Sequence, residues 1–488
     1  MTVNNENCVS RNPSVLSLKS IWKQPLILIL RTLLSVALAA PVAAEVRTSE
    51  TQDIAEEGYI YGFPILLMDE TRDAFTGESR SCDLSADINT FHHVYQLPDT
   101  EFRAVVRPNV DTLYSAAMLD LSDGPMLLDM PAVADRYVLM ALLDAWSNNF
   151  AGLGTQSHGT GEGHYFITGP EWSGTTPVGY TRVKAPTDFV WIIGRTEVWA
   201  DEDLTDVNSL QDRFVINLYR SRGNERTRFK CEDRSEPEEV VKKLSGEEFF
   251  TRLDMLMREY PLAGQDQEMI EKLARINVGP LAQSKVKALS FEQKRDLDKG
   301  REAAQSRIDK AIVAMGRGSA WSPSPNRVPL GEYGEDYFVR AVVAQVGFGA
   351  NRGEFAVYEN ATRDSDSDLL SSDSTYTLTF APGEEPDVGA FWSVTVYNPD
   401  GFLSTNEPSE ALGFTRYAVG SNTGLQYEDD GSLIIYMSAN PPEGVSLSNW
   451  LPVPEGNFEA TLRMYDPASE ILSGDWQPPK IVRTGSAY

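Results

Sequence analysis

Histidine is scarce in this chain. His92, His93, His158 and His164 are the only four in 488 residues, so any histidine-dependent base or metal site must lie before residue 165. His158, Glu162 and His164 form one ligand-like pattern, His-x3-Glu-x-His. It sits in a glycine-rich loop without the helical spacing of zinc proteases, and a loop flanking a strand explains it as well, so no metal is assigned. Cysteine is rarer still: Cys8, Cys82 and Cys231. Neither Cys82 nor Cys231 lies in a nucleophile setting, and in an oxidising compartment the two have one disulfide open to them. Gly-x-Ser-x-Gly, Gly-x4-Gly-Lys-Ser/Thr and paired Cys-x2-Cys are all absent, which removes the sequence signatures of serine-hydrolase elbows, phosphate loops and zinc ribbons. Gly152-Leu153-Gly154 lacks the third glycine and the helix of a dinucleotide fingerprint. Asp364, Asp366 and Asp368 open like a calcium loop, but the glycine is missing and Thr375 stands where the closing glutamate belongs. The cofactor is therefore unknown.

Positive charge is also short. Against 71 acidic residues stand 43 basic ones, a formal charge of −28, and such a surface repels nucleic acid. Beyond residue 44 no stretch is apolar enough to cross a membrane. Before it, Arg11, Lys19, Lys23 and Arg31 precede the apolar run Thr32 to Ala40, and Val42-Ala43-Ala44 obeys the small-residue rule for signal cleavage. Export to the periplasm or the exterior, with cleavage after Ala44, is the expectation. Arg31 interrupts Pro25 to Ala40; an uncleaved N-terminal anchor is the alternative.

What is present describes a globular protein: 41% apolar and 10% aromatic residues, and length enough for two or three domains. Ser49-Glu50-Thr51-Gln52 fits a capping box for a helix from Thr51 to Phe75, in which Gly58 and Gly62 share a face that allows close approach. Strands are expected at Glu101 to Val106, Thr112 to Leu121, Arg136 to Trp146, His164 to Thr168, Val178 to Lys184 and Phe189 to Trp199, with a helix from Val207 to Tyr219. Charged amphipathic helices follow, Glu247 to Tyr260 and Phe291 to Met315, the latter opened by a Ser290/Gln293 capping box. After a Pro-rich boundary near 321–330 comes a helix from Asp336 to Val346. Strands follow at Tyr376 to Phe380, Phe391 to Tyr397, Leu433 to Ser438 and Phe458 to Tyr465, and Asp430-Gly431 marks a hairpin turn. The expected fold is mainly β with helical insertions (α+β): two β-sandwich or jelly-roll-like domains joined by a charged helical segment. Its boundaries are a signal peptide to 44, a β-rich domain over 45–220, the helical segment over 221–330 and a C-terminal sandwich over 331–488.

The candidate site centres on Arg107-Pro108-Asn109-Val110-Asp111-Thr112-Leu113-Tyr114-Ser115. A Pro-Asn turn between strands sets polar side chains at a sheet end, where loops carry function. The plain alternative is a turn whose Asn and Asp bond their own backbone. Asp144 closes an apolar strand. Arg136 and Arg195 lie among apolar neighbours and need carboxylate partners, for which Asp111 and Asp144 are the candidates. In the functional version Asp111 or Asp144 is base or anchor, Tyr114 a proton donor, and Arg107, Arg136 or Arg195 stabilises negative charge beside Asn109. Trp392 and Trp450 would wall the cleft. Asp111, Tyr114 and Asp144 should then share one cavity with an arginine.

Five motifs carry a family resemblance in the first half: Tyr59-Ile60-Tyr61-Gly62-Phe63-Pro64, Asn109 to Ser115, Arg136-Tyr137, Gly169-Pro170 and Ile193-Gly194-Arg195-Thr196. They resemble the bacterial domain of unknown function 1254. Phe391 to Tyr397, Asp430-Gly431-Ser432-Leu433, Asn449-Trp450-Leu451-Pro452 and Leu462-Arg463-Met464-Tyr465 resemble its usual partner, domain of unknown function 1214. The resemblance implies two β-rich domains with helices between, in proteins often exported and homo-oligomeric, and it implies little about reaction. The run Gln156-Ser157-His158 departs from the family pattern. Two readings stay open: an enzyme of hydrolase or lyase type acting on a small anionic or hydroxylated substrate, and a non-catalytic, surface-acting or carbohydrate-binding protein.

Overall fold

The computed structural model describes residues 42–77, 79–80, 85–103, 107–199, 203–220, 230–231, 236–262, 264, 266–315, 321 and 330–486. The described helices are α1 (Val42–Thr76), α2 (Thr155–His158), α3 (Leu204–Gln211), α4 (Pro237–Lys243), α5 (Gly246–Glu259), α6 (Gln267–Ala274), α7 (Phe291–Met315), α8 (Tyr337–Val346), α9 (Glu407–Ala411) and α10 (Ser469–Ser473). In the first half the strands are β1 (Ser79–Arg80), β2 (His92–His93), β3 (Thr112–Asp120), β4 (Met126–Met130), β5 (Val138–Asp144), β6 (Asn149–Gly154), β7 (Gly163–Thr168), β8 (Thr181–Lys184), β9 (Phe189–Glu197), β10 (Val215–Leu218) and β11 (Lys230–Cys231). The second half adds β12 (Ala356–Ala361), β13 (Ser374–Phe380), β14 (Trp392–Tyr397), β15 (Ala418–Gly420), β16 (Leu433–Ser438), β17 (Trp450–Pro452), β18 (Glu459–Tyr465) and β19 (Ile481–Ser486).

Helix α1 begins at Val42, well before the expected Thr51, and it continues through Pro64. Gly58 and Gly62 do permit close approach. A Cβ on Gly58 would come within 2.6 Å of Leu273, and one on Gly62 within 2.7 Å of Leu253. The Ser290/Gln293 box is formed, each backbone N–H donating to the other's side chain, and α5 opens on an equivalent box at Ser245 and Glu248. Residues 101–103 are not strand, 104–106 lie outside the described residues, and the strand expected from Val178 shrinks to β8. The helix expected over Val207 to Tyr219 stops at Gln211; β-branched Val215 and Ile216 instead extend the chain as an edge strand paired with β4.

A five-stranded antiparallel sheet, ordered β2-β3-β9-β5-β6, organises the first half. β5 and β9 are buried on both faces, as the doubly apolar pattern of β5 predicts. One face, with Leu119, Met140, Leu142 and Ile192, packs on Leu128 and Ile167 of the sheet β10-β4-β7-β8. The other, with Leu139, Leu143, Trp191 and Ile193, meets α1, α5, α7 and α8 together with Phe355, Phe391 and Tyr465 of the second half. From the charged segment, Phe249, Leu253, Leu297 and Ile308 put apolar stripes into that shared core. In the second half, β12-β18-β14-β15 and β17-β16-β13-β19 send side chains into a core of their own. The architecture is mixed α+β, with several sheets in a two-part layout. Backbone contacts divide the chain into Met1–Val46 and Arg47–Tyr488, and all of these sheets belong to the second unit.

Candidate functional site

Strand alternation makes the site. On β18, Ala460, Leu462 and Met464 enter the C-terminal core, so Glu459, Thr461, Arg463 and Tyr465 must point the other way. On β14 the same rule turns Ser393, Thr395 and Tyr397 outward, opposite Trp392, Val394 and Val396. This polar face meets the Arg107–Asp111 turn of the first half. Arg107 Nη2 donates to Glu459 Oε2 at 2.9 Å, and its Nε lies 2.8 Å from Oε1. Its backbone N–H donates to Gly401 O, while its carbonyl accepts from Arg463 Nη2 at 3.0 Å. The turn requires φ of 51° at Arg107, a left-handed conformation uncommon for an arginine and held here by three hydrogen bonds and the ion contact with Glu459. Tyr397 accepts from Arg463 Nη2 at 2.6 Å and donates to Pro108 O at 2.7 Å. Asn109 Nδ2 donates to the Tyr465 hydroxyl at 2.7 Å, and Asn109 Oδ1 accepts from Asp111 N–H, the Asx turn that the plain reading foresees.

Asp111 is sealed. Ser393 Oγ donates to Asp111 Oδ2 at 2.6 Å, and the backbone carbonyl of Asp111 accepts from Val198. Burial pushes its carboxyl up, against the opposing pull of the Arg463 guanidinium and the Ser393 bond. Arg463 is equally deep, donating also to Thr395 Oγ1 at 2.7 Å; burial opposes its charge, but Tyr397, Tyr465 and Asp111 more than offset that and raise its pKa. A buried ion held this way couples two chain segments more than it stabilises either.

Beside this latch, Tyr114 and Arg195 stand directly opposite each other on β3 and β9. Arg195 is buried; its Cζ lies 5.2 Å from the Tyr114 ring centre, and Nη1 donates to Asn351 Oδ1 at 2.9 Å. Asn351 in turn donates to the Tyr358 hydroxyl at 3.1 Å. Tyr114 and Tyr358 are only half-buried, so this edge of the junction reaches solvent.

The remaining candidates are placed elsewhere. Asp144 pairs in register with Val190 at the far end of β9 from Glu197, the partner of Thr112. Seven residues at ~3.3 Å each separate the two ends by ~23 Å, so Asp144 shares no cavity with Asp111 and Tyr114. It caps its own turn, accepting from Trp146 and Asn148 N–H, with Arg340 nearby, and burial raises it to about 6. Arg136 pairs with Asp203 at 2.6 Å under Trp199, not with Asp111 or Asp144. Trp392 and Trp450 are core residues that wall no cleft; the Trp450 indole donates to Ser438 O. His158 bonds Tyr165 and His164 bonds Asp129, so the two imidazoles serve different partners, and no metal-binding group of side chains occurs among the described residues. Asp364 accepts from Asp366 and Asp368 N–H and pairs with Arg483, so its carboxylate is engaged by its own loop and by β19. Cys82 lies outside the described residues. The groove along α7 between Arg301 and Ala314 is remote in sequence from all of these groups.

Ser393, Arg463, Tyr465, Tyr358, Tyr397 and Asn351 were not foreseen as site residues. A signal existed for most of them: Ser-x-Thr-x-Tyr and Thr-x-Arg-x-Tyr alternate polar against apolar on two strands, marking a second buried face that is not oily.

The seam joins two known sequence families. The family model described as protein of unknown function DUF1254 matches residues 88–217, and that of protein of unknown function DUF1214 matches 355–469. The chain belongs to this DUF1254/DUF1214 family; Asp111, Tyr114 and Arg195 come from the first segment, and Tyr358, Ser393, Arg463 and Tyr465 from the second. Among solved structures it is similar to the VPA0106 protein of Vibrio parahaemolyticus, with 22% identity and a TM-score of 0.67 over 89% of this chain and 100% of that one. That likeness shows the fold. An uncharacterised Burkholderia cenocepacia protein aligns at 12% identity and a TM-score of 0.43 over 90% of this chain and 96% of that one. No curated protein matches.

Proposed function

We propose that this protein binds a small molecule at the junction of its two β-rich halves, and that Asp111 is a latch there and not a catalytic base. The supporting observation is a contrast in access. Half-buried Tyr114 and Tyr358 leave an edge open beside Arg195, whereas Asp111 is enclosed and already bonded to Ser393. A general base must reach its proton directly or through one water, which an enclosed carboxylate does not. The ligand is anionic or hydroxylated, a class that includes carbohydrate, because the groups at the opening are a guanidinium and phenols. Native mass spectrometry of the purified full chain tests this. Wild type and Asp111→Asn should both carry or accept a small-molecule adduct, and Tyr358→Trp, which fills the opening, should not. Turnover of any substrate that Asp111→Asn abolishes without unfolding the protein would return the enzyme reading.

The same proposal places the protein outside the cytoplasm, because basic residues precede an apolar run in the first 44. It makes the second half a jelly-roll-like sandwich, because both of its sheets enter one core. Domain limits of 45–220, 221–330 and 331–488 and a homo-oligomeric state belong to it as well. Among the described residues no helix is long and apolar enough to cross a membrane.

A further inference from the structure

Donors outnumber acceptors at the opening. Arg195 Nε and Thr112 Oγ1 are both buried, and neither has a hydrogen-bond partner among the described residues. They belong to one face of the sheet, since Thr112 pairs with Glu197 and Tyr114 with Arg195, two residues along the same ladder. A buried guanidinium normally meets a carboxylate, but Arg195 makes no ion pair among the described residues: Tyr114, Tyr358 and Tyr465 act on it, Tyr114 also by a hydrogen bond, and Glu197, two residues along the same face, is engaged by Tyr137 N–H and Asn422. The amide acceptors Asn351 Oδ1 and Asn109 Oδ1 are already taken, by Arg195 Nη1 and Asp111 N–H. The phenol oxygens are taken too: Tyr358 accepts from Asn351 and Tyr465 from Asn109, which leaves each hydroxyl hydrogen to point elsewhere. Arg463 and Asp111 stand behind, already committed to the latch. Among the described residues, one side of the junction therefore offers an N–H and a hydroxyl without a hydrogen-bond partner, beside a guanidinium with no ion-pair partner.

From this we infer that the ligand of the junction is an oxyanion, a carboxylate or a phosphate monoester, received by Arg195 with the hydroxyls of the half-buried Tyr114 and Tyr358. The inference rests on the small-molecule reading above and narrows its chemistry. An oxyanion is an acceptor at every oxygen and carries the missing charge, so one group satisfies the surplus donors and the guanidinium together. A neutral sugar brings its own donors and would leave the charge unanswered.

Calorimetric titration of the full chain with inorganic phosphate, acetate, phosphoserine and glucose tests this. Phosphate, acetate or phosphoserine should bind the wild type. Tyr358→Phe, which removes one hydroxyl, should weaken that binding about tenfold, and Arg195→Gln should abolish it. Asp144→Asn, five residues and ~17 Å along the sheet from Arg195, should leave it unchanged. If Arg195→Gln does not fold, the Tyr358→Phe result decides alone. Glucose binding that depends on Tyr358, with no oxyanion binding, overturns the oxyanion assignment and keeps the small-molecule reading. Oxyanion binding indifferent to both Tyr358 and Arg195 overturns the assignment to this junction. Binding by none of the four probes, with no adduct on the purified chain, overturns both.

Discussion

Replacing Arg463 with methionine should cost about 3–5 kcal/mol of stability, the penalty for leaving a buried partner charge uncompensated. The structure supplies the reason. Arg463 donates to Thr395, Tyr397 and the Arg107 carbonyl, and it is the cation nearest the sealed Asp111. Asp111→Asn alone should cost less, about 1–3 kcal/mol, since Ser393 keeps an acceptor and Arg463 keeps three neutral ones. Together the two changes should cost less than their sum, because the second removes the charge that the first strands. Urea unfolding at pH 7, with equal slopes checked for each variant, measures the cycle. The pH dependence gives a second reading. The folded carboxyl of Asp111 is raised above the unfolded 3.8, so the folded state takes up a proton first and stability falls as pH rises through that window. Losing Arg463, whose charge holds the value down, widens the window; Arg463→Met should therefore recover stability in acid, and the double variant should not. Strict additivity, or an Arg463→Met curve parallel to wild type from pH 4 to 7, would refute the latch.

Asp144 gives a cleaner linkage at the other end of the sheet. A carboxyl lifted from 3.8 to about 6 disfavours the folded state by ~3 kcal/mol once ionised, so Asp144→Asn should gain that much relative to wild type between pH 4 and 7 in paired urea melts. His93 acts in the opposite direction. Burial holds it down to about 4, against the pull of Asp212, so its contribution is complete above pH 6.5 and lost as pH falls towards 4; a proton NMR titration should find the imidazole neutral at pH 5. Two glycines should separate by what they touch. Gly154→Ala drives a Cβ to 1.9 Å from the Val138 carbonyl at φ of 149° and should unfold the protein or cost more than 4 kcal/mol, whereas Gly62→Ala meets only the movable Leu253 side chain and should cost about 1–3 kcal/mol in thermal melts.

Much of the fold was legible because hydrophobic period is a local signal. β3, β5, β9, β16, α5, α7 and α8 all stand within a few residues of where alternation or capping places them. The failures share a cause. The end of α3 depends on β4, a partner distant in sequence that Val215 and Ile216 join, and a local pattern cannot report that. The same holds for the site. Arg107, Asn109, Asp111, Tyr114 and Arg195 do converge on one junction, but Asp144 does not, because it stands at the opposite end of the nine-residue β9. Pairing of charges was illegible for a related reason: Arg136 finds Asp203, Asp111 is answered by Arg463, and both matches are made by tertiary approach.

β18 faces two interiors, and this sets the order in which the protein can assemble. Pairing on one side with β12 and on the other with β14, it has its register checked by oil on one face and by hydrogen bonding on the other. A slip of one residue would bring Arg463 and Glu459 into the C-terminal core and hand Leu462 and Met464 to the polar turn, so both sides would reject it at once. The second half thus has nothing to offer the first until its own strands are correctly matched. Docking acts as an inspection step, and pulse-labelled hydrogen exchange should find the β18 amides protected before those of Asp111 and Val198.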